Sequence, residues 1–311
     1  MHSTKKIAVC SRSFSKNKTL REEILSKYNN IVFNDDGLSL NGDALISFLN
    51  GATHAIVALE KINDKVLSQL PNLKVISKYG VGIDMIDIKA MKKHNVMLGW
   101  TGGVNCRSVS ELVISLTIAL LRHVPSAHRE VLSGTWRQHI GRQLSGQTVG
   151  IIGCGFVGKD LVRMLQPFKC QILANDIDNF DEFYKEYGVK SVSKEELLKN
   201  SDIVTLHTPL DDSTRGMLNF ERLSLMKSDA ILINIARGDL VDEIALKKML
   251  MSGKLSGAAF DVFATEPPVD KELLELSNFI VTPHIGGSSK EAILAMGRAA
   301  IFGLEADESS K

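Results

Sequence analysis

The chain has 311 residues, with 37 Lys and Arg against 36 Asp and Glu, so its formal net charge near pH 7 is +1. At roughly 100–200 residues per domain, this length predicts two domains. Apolar residues make up 44 % and charged residues 23 %, which excludes a disordered, collagen-like or disulfide-scaffold protein. A nearly neutral chain has no general attraction for nucleic acids or anionic membranes, so we expect neither as a partner.

No targeting or membrane-spanning segment is expected. The first apolar run ends at Cys10, too early for a signal-peptide core. The longest apolar run, residues 112–121, is half of the ~20 residues that span a bilayer. The four cysteines form neither a CxxC pair nor a cluster with histidine at metal-ligand spacing. The sequence therefore predicts no metal site, a reducing compartment and a cytoplasmic location.

Short β-rich runs alternate with helical stretches in the first third of the chain. Strands are predicted at residues 7–10, 31–33, 55–58 and 73–77, and helices at residues 18–28, 42–49 and 64–70. This order is typical of a parallel sheet with helices on both faces.

A long, mostly buried helix is predicted at residues 105–123, and stronger strands follow it. These strands are predicted at residues 148–152, 171–175, 203–207, 230–235, 257–262 and 279–282. Each start is separated from the next by the length of one strand plus one helix, which predicts a second doubly wound domain.

A glycine-rich turn follows the first of these stronger strands. Gly153, Gly155 and Gly158 have the GxGxxG spacing between a strand and a helix, which suits a tight turn, a close approach of pyrophosphate and helix–strand packing. Asp176 ends the next strand, where a carboxylate accepts hydrogen bonds from ribose hydroxyls and repels a 2′-phosphate. The pattern predicts NAD as cofactor, although a structural turn and a solvated strand end also fit these residues.

Three polar motifs follow the later strands, at the edge where open α/β sheets bind ligands. They carry Arg237, Glu266 and His284. A histidine can take the hydroxyl proton while a hydride leaves carbon, a nearby carboxylate would stabilise the protonated ring, and a guanidinium can hold a substrate carboxylate. Together the motifs predict hydride transfer at a 2-hydroxy acid, although each alone also fits a surface arginine, a loop glutamate or a capping histidine.

From about residue 55 to residue 299 the sequence resembles the D-isomer-specific 2-hydroxyacid dehydrogenase family, and its phosphoglycerate dehydrogenase-like branch in particular. Four ordered motifs carry the likeness: KYGVGID at residues 78–84, the glycine-rich turn, IARG with LVDE at residues 235–243, and PHIGG at residues 283–287. The resemblance implies an α/β fold with two doubly wound parallel-sheet domains. A Rossmann NAD-binding domain at residues 101–283 would be inserted into a smaller flavodoxin-like substrate domain at residues 1–100 and 284–311.

The resemblance also implies roles for residues. Arg237, Glu266 and His284 match the catalytic residues of the family, and the backbone N–H groups of Val81 and Gly82 would hold the substrate carboxylate. The remaining positions implied to line the cofactor are Phe156, Val157, Thr208, Pro209, Ala236, Asp261 and Gly286, with Asp261 on the nicotinamide carboxamide.

Family members are usually homodimers built through the dinucleotide domains, so a homodimer is implied here. The apolar helix at residues 105–122 is a candidate contributor, although its apolar side chains can equally be buried within the subunit. Hinge closure around a small 2-hydroxy or 2-oxo acid is implied as well. Because the sequence ends soon after a last helix at about residues 288–304, we expect no additional regulatory domain.

Several positions depart from the family pattern. Met85 and Trp100 are unusual in their segments, and Gly102 stands where proline is common, which should loosen the loop. The substrate stays open: Glu60, Lys61 and Lys78 would suit a charged or phosphorylated acid, and a solvated loop surface explains them equally well.

Other functions also stay open. One is an NAD(H)-sensing regulator or co-repressor on the same fold, and another is an oxidoreductase with a non-carbon donor such as phosphite. His207 is a second candidate base, although a structural role at a strand end is favoured.

Overall fold

A computed structural model describes residues 5–308 of the chain. These residues form two compact units. The two-segment unit comprises the described residues up to Asn105 and from Ser289 onwards, and the inserted unit comprises Cys106–Ser288. The predicted divisions after residues 100 and 283 differ from these by five residues each. The structure therefore assigns the loop that carries His284 to the inserted unit, whereas the sequence assigned it to the substrate domain.

The two-segment unit contains a five-stranded parallel sheet. Its strands are β1 (Ile7–Val9), β2 (Ile31–Phe33), β3 (His54–Val57), β4 (Val75–Lys78) and β5 (Met97–Gly99). They lie in the order β2-β1-β3-β4-β5, which is the flavodoxin-like order. The predicted substrate-domain fold is therefore confirmed.

Five helices belong to the first segment of this unit. They are α1 (Arg12–Lys16), α2 (Lys18–Leu25), α3 (Gly42–Leu49), α4 (Asp64–Ser68) and α5 (Ile88–Lys93). Asn and Asp side chains begin several of them: Asn17, Asn63 and Asp87 each accept a hydrogen bond from a backbone N–H in the first turn of α2, α4 and α5. Such caps satisfy donors that a helix start would otherwise leave without partners.

The inserted unit contains a seven-stranded parallel sheet. Its strands are β6 (Thr148–Ile152), β7 (Gln171–Asn175), β8 (Lys190–Ser191), β9 (Ile203–Leu206), β10 (Ile231–Asn234), β11 (Gly257–Phe260) and β12 (Phe279–Val281). Their order, β12-β11-β10-β9-β6-β7-β8, is the Rossmann order with one extra strand at the edge. The predicted dinucleotide fold is confirmed.

Eight helices accompany this sheet. They are α6 (Cys106–Leu121), α7 (Val124–Leu132), α8 (Phe156–Leu165), α9 (Asp181–Tyr187), α10 (Lys194–Asn200), α11 (Phe220–Leu225), α12 (Glu243–Met251) and α13 (Lys271–Leu274). The predicted long helix corresponds to α6, which contacts α8, β10 and β11. Most of its apolar side chains, including Val113, Leu116 and Leu120, are buried within the inserted unit, whereas Ile118 is exposed.

Within the described residues, no single helix is long and apolar enough to cross a membrane. Only together are α6 and α7 long and apolar enough to meet this criterion, and the pair is bent by 60° at the break between them.

The chain returns to the two-segment unit through α14 (Lys290–Gly303). Its last turn touches the sheet backbone to backbone, because a Cβ atom on Gly99 would lie 2.0 Å from the carbonyl oxygen of Gly303. Ser77 Oγ, on β4, donates a hydrogen bond of 2.6 Å to the carbonyl of Ala300. These contacts explain why the last helix packs with the N-terminal sheet.

Candidate active site

The predicted site residues of the inserted unit follow the carboxyl ends of its strands. At least one of them lies within three residues of the end of each of β6, β7, β9, β10, β11 and β12, in that order Gly153, Asp176, Thr208, Ala236, Asp261 and His284. Because the strands are parallel, these ends form one edge of the sheet. This edge is where open α/β sheets bind their ligands.

The glycine-rich turn requires glycine at two positions for packing. Gly153 has φ +91°, and a Cβ atom there would lie 2.7 Å from the carbonyl carbon of His207. A Cβ atom on Gly158 would lie 2.5 Å from the carbonyl oxygen of Gly153. The turn is therefore pressed against the end of β9 on one side and against the start of α8 on the other.

Gly155 differs from its two neighbours in the motif. It is the N-cap of α8, and a Cβ atom there would meet no protein atom within 4 Å. Phe156, the first residue of the helix, is 62 % exposed, and Val157 is partly buried. The helix N-terminus therefore borders open space, as a pyrophosphate-binding turn requires.

Asp176 is held against the same turn. One carboxylate oxygen accepts a hydrogen bond from the backbone N–H of Cys154, and the other accepts one of 3.0 Å from the N–H of Asp178. The carboxylate is thus fixed beside the glycine-rich turn, where a ribose would lie next to a bound pyrophosphate.

Thr208 supplies a test of whether a cofactor fits. Its hydroxyl is buried and has no hydrogen-bond partner within the described part of the chain. Its methyl carbon borders the Gly153 turn, and the neighbouring Pro209 is exposed. A buried hydroxyl without a partner is costly, so a polar group of a ligand at this edge would satisfy it. The residues present therefore fit a dinucleotide.

His284 and Glu266 form a hydrogen-bonded pair. His284 Nδ1 lies 2.9 Å from Glu266 Oε2, and both side chains are partly exposed. Glu266 Oε1 also accepts a hydrogen bond of 3.2 Å from the backbone N–H of Phe263. Because Nδ1 faces the carboxylate, Nε2 is left to exchange a proton with a substrate.

Asp261 organises the loop that carries His284. It is 1 % exposed, and its oxygens accept hydrogen bonds from Thr282 Oγ1 (2.5 Å), the Ile285 N–H (2.8 Å) and the Gly286 N–H (2.8 Å). The N–H of His284 itself donates to the carbonyl of Asp261 at 2.9 Å. Its predicted contact with a nicotinamide carboxamide stays a prediction.

Arg237 lies on the turn after β10, which packs against the loop after β11 that carries Glu266. The Asn234 side chain donates to the carbonyl of Arg237 at 2.8 Å and accepts from the Ala236 N–H at 3.2 Å. A Cβ atom on Gly238 would lie 1.8 Å from the carbonyl carbon of Phe263. The turn that carries Arg237 and the loop that carries Glu266 are therefore in direct backbone contact, and the structure assigns Asn234 a supporting role that sequence reasoning missed.

An apolar cavity of about 460 Å³ adjoins the histidine–glutamate pair. His284 and Glu266 contribute to its wall, and the other lining side chains include Phe263, Leu274 and Val281. A small organic molecule can therefore reach the pair, which is the setting expected of a catalytic acid–base group.

His207 does not resemble a second base. Burial lowers the pKa of its imidazole to about 3, and Nε2 lies 2.9 Å from Thr205 Oγ1 on β9. The ring is neutral near pH 7, and its backbone supports the Gly153 turn. These contacts agree with the structural role that the sequence favoured.

The remaining candidates lie on the two-segment unit. Val81 and Gly82 are partly exposed, and within residues 5–308 neither N–H donates to a protein acceptor. Glu60 and Lys78 are 8 % and 5 % exposed, whereas Lys61 is exposed. A solvated loop surface therefore does not describe Glu60 and Lys78: the Glu60 carboxylate accepts a hydrogen bond from the Ala58 N–H, and the Lys78 ammonium donates one to the Ala58 carbonyl.

Comparison with known proteins assigns the chain to a family. The family model described as D-isomer specific 2-hydroxyacid dehydrogenase, NAD binding domain, matches residues 114–286, more than half of the chain. The chain belongs to the D-isomer-specific 2-hydroxyacid dehydrogenase family. The matched domain lies inside the inserted unit, and the resemblance inferred from the four motifs is confirmed.

Relatives in this family carry several enzyme names. The chain is 38 % identical over 236 residues to D-3-phosphoglycerate dehydrogenase of Bacillus subtilis, an alignment that covers 75 % of this chain and 45 % of that protein. It is 35 % identical over 285 residues to glyoxylate reductase of Pyrococcus furiosus, which covers 89 % of this chain and 79 % of that protein. The chain thus spans about half the length of the phosphoglycerate dehydrogenase.

A solved family structure shares the whole fold. D-lactate dehydrogenase from Aquifex aeolicus, complexed with NAD and lactic acid, superposes with a TM-score of 0.84 at 27 % identity, covering 98 % of this chain and 95 % of that one. The likeness therefore includes both sheets of the present chain.

Proposed function

We propose that this chain is an NAD-dependent oxidoreductase that interconverts a D-2-hydroxy acid and its 2-oxo acid. The observation that carries the proposal is the His284–Glu266 pair, 2.9 Å apart, at the carboxyl edge of a Rossmann sheet. The Arg237 turn packs against the loop that bears Glu266. An acid–base group and a fixed cation beside a dinucleotide site are what this reaction needs.

Each residue of the site has a role in the proposed reaction. NAD(H), when bound, accepts or supplies the hydride at the substrate carbon. His284 Nε2 takes the hydroxyl proton during oxidation and returns it to the carbonyl oxygen during reduction. Glu266 stabilises the protonated ring through Nδ1, and Arg237 polarises the carbonyl and holds the carboxylate.

Backbone groups complete the proposed substrate site. The N–H groups of Val81 and Gly82 have no protein acceptor in the described range, and consecutive N–H groups of this kind bind anions. They would hold the substrate carboxylate, which gives a nearly neutral protein a local means of anion recognition.

The same edge would hold the cofactor. The pyrophosphate would lie on the glycine-rich turn and the N-terminus of α8, next to Phe156 and Val157, with the ribose on Asp176. Thr208, Pro209 and Ala236 would line the path to the reacting end, and Asp261 and Gly286 would border the nicotinamide. The carboxylate of Asp176 favours NAD over NADP.

The names of the relatives favour catalysis over regulation. D-3-phosphoglycerate dehydrogenase, glyoxylate reductase and D-lactate dehydrogenase all act on 2-hydroxy or 2-oxo acids by name. The experiment is an NADH oxidation assay with a panel of 2-oxo acids, paired with NAD reduction by D and L 2-hydroxy acids. Turnover of a D acid is expected; turnover of phosphite alone would replace the proposal with the non-carbon alternative.

We further propose a cytoplasmic homodimer built through the inserted unit. Because helix α6 packs mostly inside its own unit, we expect the segment that follows it to form the dimer interface. That segment carries several exposed apolar side chains, with Leu132 73 %, Trp136 85 % and Ile140 98 % exposed. Exposed apolar side chains concentrated in one segment suit a protein–protein contact, and a second copy of the chain is the partner that the family implies.

A further inference from the structure

Trp100 donates a hydrogen bond to the candidate substrate-binding turn. Its indole Nε1 lies 2.9 Å from the carbonyl oxygen of Val81, and its side chain is 41 % exposed. Both residues belong to the two-segment unit. Trp100 was one of the positions where the sequence departs from the family pattern, and nothing in the proposed reaction uses its side chain.

The position of Trp100 follows from the sheet. Strands β4 and β5 are paired in parallel, with Ser77 opposite Gly99. Trp100 is the first residue beyond β5, so it leaves the sheet beside the end of β4. The chain that leaves β4 reaches Val81 three residues after Lys78, which places the Val81 carbonyl within reach of the indole.

This hydrogen bond fixes the direction of a neighbouring donor. The carbonyl of Val81 and the N–H of Gly82 belong to one peptide group, which is planar and trans, so the two point in opposite directions. Holding the carbonyl on the indole side therefore turns the Gly82 N–H to the other side. The hydrogen bond at the carbonyl also polarises the peptide group and strengthens the N–H as a donor.

We propose that Trp100 is a positioning residue that aims the Gly82 N–H at the carboxylate of the substrate. The inference rests on the proposed function, because that carboxylate is the ligand named there. The loop that follows Trp100 carries Gly102 and Gly103 in place of the more rigid proline segment, and Gly103 has φ +75°. The indole contact gives the turn a support that this loop does not supply.

The kinetic test replaces Trp100 by Phe, which keeps an aromatic ring and removes the N–H. The variant W100F is expected to raise KM for the 2-oxo acid by about 2- to 10-fold, the value of one hydrogen bond, with kcat and NADH affinity unchanged. The control is M85L, which alters another exposed side chain of the same unit and should leave KM unchanged. An unaltered KM in W100F would overturn the proposal.

A second measurement does not depend on turnover. The chain has two tryptophans, Trp100 and Trp136, so W136F leaves one indole N–H signal in the nitrogen-15 spectrum. The chemical shift of a hydrogen-bonded indole N–H changes little with temperature, and its proton exchanges slowly with solvent. If the Trp100 indole N–H has the temperature dependence and exchange rate of the unfolded chain, the hydrogen bond to Val81 is absent and the proposal is overturned. If the wild type reduces no acid, the proposed function fails, and the indole signal alone then tests the hydrogen bond from Trp100 to Val81.

Discussion

His284 occupies a backbone conformation that it would not adopt alone. Its φ of +56° is left-handed, which costs a non-glycine residue roughly 1–2 kcal/mol. Asp261 offsets this cost, because its buried carboxylate accepts the N–H groups of Ile285 and Gly286 while its carbonyl accepts that of His284. The acid–base group is therefore aimed by a buried carboxylate, as well as by Glu266.

Replacing the acid–base group tests its assigned role. His284→Gln keeps a polar side chain of similar size but cannot exchange a proton near neutral pH. We expect kcat to fall by about 10²- to 10⁴-fold, with NADH affinity near that of the wild type. Steady-state kinetics and NADH titration check this, and His94→Gln, a change at the end of α5, serves as the control. Undiminished turnover in the His284 variant would refute the role.

Asp176 sets the preference between the two nicotinamide cofactors in this account. Removing its carboxylate in Asp176→Ala removes the repulsion of a 2′-phosphate and the acceptor for ribose hydroxyls. We expect KM for NADPH to fall and KM for NADH to rise, narrowing the ratio between them. Asp178→Ala, next to it on the same loop, is the control. A variant that still excludes NADPH would show that another residue sets the preference.

At the scale of elements, the site is assembled by close backbone contact between loops. A methyl group at Gly238 would overlap the peptide that joins Phe263 to Ala264. The turn after β10 and the loop after β11 can therefore approach each other only with glycine at this position. Glu243, at the start of α12, accepts a hydrogen bond of 2.8 Å from the Ala264 N–H and so helps to hold the same loop.

The substitution Gly238→Ala should separate Arg237 from Glu266. We expect kcat/KM for the 2-oxo acid to fall at least 10-fold and the thermal midpoint to drop, because the two loops must move apart. NADH affinity should change less, since the glycine-rich turn and Asp176 are unaltered. Ala264→Gly, which removes a methyl group from the opposing loop, is the control. Wild-type kcat/KM in Gly238→Ala would contradict this assembly.

His207 gives the inserted unit a pH-dependent stability. Its pKa is lowered from the usual value of about 6.5 to about 3 by burial, so the unfolded ring binds a proton that the folded ring does not. Stability is therefore full above about pH 6.5 and is lost as the pH falls towards 3.

Between pH 7 and pH 5 we expect a loss on the order of 1–2 kcal/mol from this residue. Denaturant unfolding at both pH values measures it, and His207→Asn should reduce the difference between them. Burial also lowers the pKa of His54, so its protonation destabilises the two-segment unit at low pH in the same way. His54→Asn is therefore the matched comparison for the effect of one buried histidine on the pH dependence of stability. An equal pH dependence in wild type and His207→Asn would contradict the assignment.

At the scale of the whole molecule, the two sheets were predictable because most strands are continuous apolar runs. β2, β6 and β7 coincide with their predicted bounds, and the other predicted strands are correct within a few residues. β8 was missed because it is two residues long and polar, and β5 was missed because its three residues end in glycine. Helices α1 and α5, with five and six residues, are too short to show a clear apolar period.

The site was predictable to the extent that its residues follow strands directly. The glycine-rich turn, Arg237, Glu266 and His284 could be named because strand ends and motif spacing coincide. The hydrogen bond from Trp100 to Val81 could not be predicted, nor could the three donors on Asp261. Such contacts join residues far apart in the chain, and they depend on strand pairing and loop geometry that no local pattern records.

The proposed homodimer is tested by charging the apolar segment after α7. Ile140→Lys places a cation in the segment that contains Leu132 and Trp136, and we expect it to shift the molar mass in solution towards that of a monomer. Light scattering behind size exclusion measures the mass. Val269→Lys, at an 81 % exposed position elsewhere in the inserted unit, is the control. A wild type that is monomeric would contradict the proposal.

The most direct test of the central claim is the product formed when purified chain, NADH and a 2-oxo acid are mixed. We expect each NADH consumed to yield one D-2-hydroxy acid, resolved by chiral chromatography, and His284→Gln to form almost none. Tight NADH binding without reduction of any acid in the panel would contradict it, and would favour a regulator that keeps the site without the chemistry.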